Sequence, residues 1–134
     1  MWESLILPLL ATLQAGGGMP QWHGSGGGRD EAATLVIKDQ RSWIDIWTEL
    51  KQDPPQPTLD DKHMAVVIFS GTMPTAGYAV SVRGVHEENG RDVVEYVETG
   101  PARDRMVAQV LTHPWVVAIL PATTLPVIFK KLPP

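Results

Sequence analysis

The chain has 134 residues, 43% of them hydrophobic, a formal net charge of -4 and no cysteine. That length suits one domain with a core of its own, the missing sulfur removes disulfides, thiol nucleophiles and thiolate metal sites, and the mild acidity gives no electrostatic case for a nucleic-acid partner. The 12 Gly and 12 Pro imply many turns and short elements, a composition that favours β structure over a helical bundle.

Leu5 to Leu13 reads LILPLLATL. It is too short for a bilayer span, which needs about 20 apolar residues, but it has the length of a secretory-signal core. The preceding Met1-Trp2-Glu3-Ser4 carries no Lys or Arg, and Leu13 stands two before Ala15, where a cleavage site prefers a small residue. Three readings stay open: a degenerate or trimmed signal, a retained apolar arm that docks on a partner or membrane surface, and an amphipathic helix packed on the domain's own core. Gly16 to Gly28 reads GGGMPQWHGSGGG, the composition of a flexible linker. Trp22 within it is read as an anchor on the domain surface or as a partner contact. The boundary between arm and domain falls at residue 28, giving an arm over 1–28 and a domain over 29–134.

Thr34 to Ile37 is a β-branched run and predicts a strand. Asp39 and Ser42 both fit the N-cap of a following helix. Trp43, Ile44, Trp47 and Leu50 recur at helical spacing, and Asp53-Pro54-Pro55 stops the element. Met64 to Phe69 (MAVVIF) is a short continuous apolar run, the pattern of a strand buried on both faces. After a Pro- and Gly-containing connection, Tyr78, Val80 and Val82 alternate with smaller or polar residues, and Gly84 allows a bulge. Asn89-Gly90 fits a two-residue type I′ turn, so a hairpin returns over Arg91 to Glu98. Met106 to Thr112 alternates weakly. Trp115 to Leu120 (WVVAIL) is a second buried strand, and Leu125 to Lys130 the last. The pattern predicts an α+β fold: a largely antiparallel, curled sheet of five to seven strands against one amphipathic helix, with an extended N-terminal arm.

Chemical motifs are sparse. His23, His63, His86 and His113 lie in separate segments with no i, i+4 metal spacing. His23-Gly24-Ser25-Gly26 lacks the leading glycine and the strand-turn-helix context of a nucleophile elbow, and neither a P-loop nor a dinucleotide fingerprint occurs. The carboxylate pairs Asp60-Asp61 and Glu87-Glu88 flank turns, where solvation denies them the contrasting environments that acid–base catalysis needs. No catalytic, cofactor-binding or metal-binding residue is assigned.

The block Ala65-Val66-Val67-Ile68-Phe69-Ser70-Gly71-Thr72-Met73-Pro74-Thr75-Ala76-Gly77-Tyr78 resembles the PrcB C-terminal-like family, with its apolar strand, Gly, Pro-Thr-Gly-Gly-Tyr and alternating strand. The helix with Trp43 and Trp47 and the run Thr112-His113-Pro114-Trp115-Val116-Val117 are similar to it as well. The resemblance covers about residues 30 to 130 and departs at Ala76, where the family usually has a second Gly. It implies a bacterial, usually exported domain whose relatives are accessory subunits of a cell-envelope protease complex, with no established catalytic residues.

The resulting expectation is a non-catalytic accessory subunit of an extracytoplasmic or membrane-associated complex, in the periplasm or cell envelope, with a cytoplasmic location still open. Its partner is another protein or membrane-bound complex, with peripheral membrane contact through the arm. The expected contacts are Trp2, Leu5, Ile6, Leu9, Leu10, Trp22, Pro74, Tyr78 and Trp115. The competing readings are a small-ligand or carbohydrate-binding module, with Tyr78 and Trp115 as stacking platforms, and an enzyme of unrecognised type.

Overall fold

The computed structural model describes residues 19–55 and 59–134. Within them the chain runs β1 (Gln21–Gly24), β2 (Ala33–Ile37), α1 (Gln40–Glu49), β3 (His63–Phe69), β4 (Ala79–Glu88), β5 (Arg91–Thr99), β6 (Trp115–Pro121) and β7 (Val127–Leu132). Two sheets result. One is four-stranded and antiparallel in the order β1-β6-β3-β2; the other is three-stranded, β4-β5-β7, with β5 and β7 parallel. The α+β class and strand content agree with the sequence reading.

The two continuous apolar runs are explained by layering. β3 and β6 pair centrally, and their side chains alternate between two cores. Ala65, Val67, Phe69, Trp115 and Val117 face the helix with Trp43, Ile46, Trp47 and Leu50. Met64, Val66, Ile68, Val116, Ala118 and Leu120 face Val80, Val82 and Val94 of the second sheet. Helix, four-stranded sheet and three-stranded sheet are thus stacked, and the central pair β3–β6 is buried on both faces.

Helix α1 begins at Asp39, whose carboxylate accepts from the Ser42 N–H at 2.8 Å. It closes with a Schellman pattern: Gln52 N–H donates to the Trp47 carbonyl and Lys51 N–H to that of Thr48, both at 3.0 Å. The helix therefore ends at Glu49, before Asp53-Pro54-Pro55. The inner face also differs from the expected one. Ile44 is 44% exposed, whereas Ile46 is 4% exposed and joins Trp43, Trp47 and Leu50, because positions i, i+3, i+4 and i+7 make one stripe and Ile44 lies off it.

The hairpin is as read. Asn89 and Gly90 have φ of 55° and 76°, the paired positive values of a type I′ turn, and the register shifts between Val82 and Gly84 as a bulge requires. Met106 to Thr112 does not form a strand; only Thr112 makes an isolated bridge, to Met73.

The largest correction concerns the glycine-rich stretch. Gln21–Gly24 is a strand on β6, with Trp22 opposite Val117. Gly24, one of the glycines that read as flexibility, answers a packing demand. A Cβ on Gly24 would lie 2.5 Å from the Trp115 indole, so only glycine lets the backbone cross that ring. The Trp115 Nε1–H then donates to the Gly26 carbonyl at 2.9 Å. The side chain of Gln21 donates to the Val82 carbonyl at 2.9 Å and accepts from its N–H at 3.0 Å, clipping β1 to β4 and joining the two sheets at this corner.

Candidate interaction surface

Two irregular segments, residues 70–78 and 100–114, converge beyond the ends of the sheets. Ser70 N–H donates to the Pro114 carbonyl at 3.0 Å, Met73 and Thr112 exchange backbone bonds at 2.8 and 3.0 Å, and Ala76 N–H donates to the Ala108 carbonyl at 3.1 Å. The Thr112 hydroxyl donates to the Thr75 carbonyl at 2.8 Å. Gly77 has a φ of 95°, and a Cβ there would meet Pro101 Cβ at 2.9 Å and Val107 Cγ1 at 3.2 Å. A Cβ on Gly100 would come within 3.0 Å of the Tyr78 ring. The Pro-Thr-Ala-Gly-Tyr loop is thus a buttress: its conformation and missing side chain let it hold the longer loop from beneath.

What the longer loop presents is apolar. Met106 is 96% exposed, Leu111 67% and Val110 55%. Pro74 is exposed on the neighbouring loop, and Arg103, Asp104 and Arg105 are exposed just before Met106. Three large apolar side chains thus stand exposed within six consecutive residues of one loop, unlike hydrophobes scattered singly over a surface.

The expected contact residues separate accordingly. Pro74 lies on this lobe, and Tyr78 is half-buried within its support. Trp115 is 1% exposed, so it offers a partner or sugar no surface and is corrected from contact to core. Trp22 is half-buried, packed edge-to-face on Trp43 and Trp47 with ring centroids 6.2 and 5.8 Å away, so it too belongs to the core. Trp2, Leu5, Ile6, Leu9 and Leu10 lie outside the described residues. Met106, Val110 and Leu111 were missed because their weak alternation carried no assignment. The available signal was their setting between Gly100-Pro101 and Pro114, where a chain bracketed by breakers has no ladder to join.

The titratable groups form local pairs. The Arg29 guanidinium donates to Glu49 at 2.7 Å, which holds the Glu49 carboxyl below its usual range and raises Arg29. Asp60 accepts from the His63 ring at 2.7 Å and is lowered by that bond. His113 Nε2 lies 3.1 Å from Asp30, and His86 lies between Glu88 and Glu95 at 4.0 and 3.9 Å. His23 Nδ1 is 3.0 Å from the Val80 carbonyl. Among the described residues no three His, Asp or Glu side chains gather as a metal site would require.

These features define a two-sheet α+β domain with a braced, apolar loop lobe. Residues 64–121, just under half the chain, match the family model described as PrcB C-terminal. The matched span runs from β3 through β6 and includes both loops of the lobe. No curated protein and no solved structure matches. No helix among the described residues is long and apolar enough to cross a membrane.

Proposed function

We propose that this chain is a non-catalytic accessory subunit that binds and stabilises a partner protein in an extracytoplasmic or membrane-associated complex, using the lobe built on residues 70–78 and 100–114. The observation that carries this reading is the exposure of Met106, Val110 and Leu111 on a loop pinned from beneath by the Pro-Thr-Ala-Gly-Tyr segment. The PrcB C-terminal match over the same span supports it. Burying three such side chains contributes roughly 5–9 kcal/mol, at about 1.5–3 kcal/mol each, before the cost of association is subtracted. A preformed loop loses little further entropy on docking, so more of that gain survives as affinity. The arm with Trp2, Leu5, Ile6, Leu9 and Leu10 would supply a second apolar contact, to the partner or to the membrane surface.

The test is affinity purification of the full chain from its native cell envelope, with partners identified by mass spectrometry. It is repeated with Met106→Asp/Leu111→Asp and with a chain lacking residues 1–18. The double substitution should weaken recovery of the partner about a hundred-fold with the melting temperature unchanged. If recovery is unchanged, the lobe is not the contact; if only the truncation loses the partner, the arm carries the interaction.

A further inference from the structure

We infer that the outer edge of β2, together with the flank of α1, binds an extended segment of a partner protein, apolar and basic in alternation, as an added strand. This site shares no residue with the lobe and does not rest on it.

Among the described residues β2 is the last strand of the four-stranded sheet, paired to β3 on one side only. No backbone hydrogen bond leaves its outer side among the described residues. Such an edge is a template of alternating N–H and C=O groups that only another extended backbone matches. Natural edges are usually blunted by proline, inward charge or a covering element. Ala33–Ile37 has none of the first two, and α1 leaves a groove of about 230 Å³ beside it rather than a cover. Leu35, Ile37 and Ile46 contribute apolar wall, and Val36 is 37% exposed at the rim.

The charge of the groove selects the occupant. Ser42, Asp45 and Glu49 lie at i, i+3 and i+7 on the flank of α1 that lines it, and the only cation of the lining is Arg29. That guanidinium is already committed to Glu49 at 2.7 Å and stacks 4.9 Å over the Phe69 ring. Asp45 is left facing the groove, so an incoming strand gains by turning Lys or Arg toward it, with their stems along Leu35 and Ile46, and, because alternate side chains point to opposite faces, apolar residues toward Val36. A second copy of this chain fits less well. In the two-fold antiparallel register centred on Leu35, Glu31 would stand opposite Asp39 at both ends, and like charges directly opposed destabilise a pair.

The probe is a fluorescein-labelled octapeptide of alternating Val and Lys, titrated by anisotropy against the full chain, with amide NMR shifts as the map. Saturable binding with a Kd on the order of 100 µM is expected, with shifts at Thr34 to Ile37. Asp45→Lys should weaken it at least ten-fold. The same peptide N-methylated at alternate residues keeps its charge but loses a ladder edge, and should also weaken at least ten-fold. No saturable binding, or equal binding of the N-methylated peptide, would overturn the inference, the latter by reducing it to charge attraction. A concentration-dependent dimer that Val36→Lys abolishes would assign the edge to a second copy and overturn it as well.

Discussion

Lys51 holds the left-handed position after α1, with a φ of 61°, where the Schellman pattern asks for glycine. A side chain there costs about 1–2 kcal/mol of steric strain, part of which glycine returns to unfolded-state entropy. Lys51→Gly should therefore stabilise the domain by roughly 0.5–1 kcal/mol in urea unfolding. A loss instead would mean that the lysine stem packs usefully at the helix end. At the other end, the Ser42 N–H bond holds the Asp39 carboxyl below its ordinary value. A folded value below the unfolded one, about 3.9, means the stabilisation is present above that pH and fades as pH falls through the folded value. Asp39→Ala should lower the melting temperature at neutral pH, whereas Asp39→Asn should keep most of the cap and flatten its acid dependence. Equal melting of all three proteins at neutral pH would remove Asp39 from the cap.

At the level of elements, β1 and α1 are held by one aromatic cluster. Trp47 contacts Trp22, Trp43 and Trp115 at centroid distances of 5.8, 5.6 and 5.8 Å, all edge-to-face. Trp47→Ala should cost about 3–5 kcal/mol by denaturant unfolding, because a rigid helix on a fully buried strand pair collapses poorly onto the cavity. A loss below 1 kcal/mol would contradict its burial. The clip at Gln21 is a finer test of the corner. Gln21→Met keeps the volume but leaves the N–H and C=O of Val82 without those partners, at a cost of about 1–3 kcal/mol if water cannot replace them. A neutral result would mean that solvent reaches the corner.

For the whole molecule, the middle layer has apolar partners on both faces, so stripping either cover exposes core. Deleting residues 1–28 removes β1, uncovers one edge of β6 and takes Trp22 and the Gly26 carbonyl from the tryptophan cluster. The product should lose its near-ultraviolet circular dichroism, which depends on coupled indoles held rigid, and its tryptophan emission should shift to the red. Native-like spectra for that truncation would return β1 to the status of a tether. Gly77→Ala should act at the same scale but spare the core. It forces a side chain onto Pro101 and Val107 at a positive φ, so it should loosen the lobe and reduce partner recovery while Trp115 stays buried.

Read alone, the sequence determined whatever depends on short-range pattern: the hairpin at Asn89-Gly90, the doubly buried runs of β3 and β6, the capped amphipathic helix, and the Pro-Thr-Ala-Gly-Tyr block that carries the family resemblance. Each is legible because neighbours along the chain supply the physical cause, whether a positive φ, a period of two or a run without polar atoms. Tertiary structure alone decided the rest. Gly24 reads as slack until Trp115, 91 positions later in the chain, is seen to lie against it. Trp22 and Trp115 read as contact aromatics until the helix covers them, and Met106 and Leu111 carry no assignment until the loop is seen to leave them exposed. Burial and exposure are properties of what the chain brings together from a distance, and single-sequence periodicity carries no information about that distance.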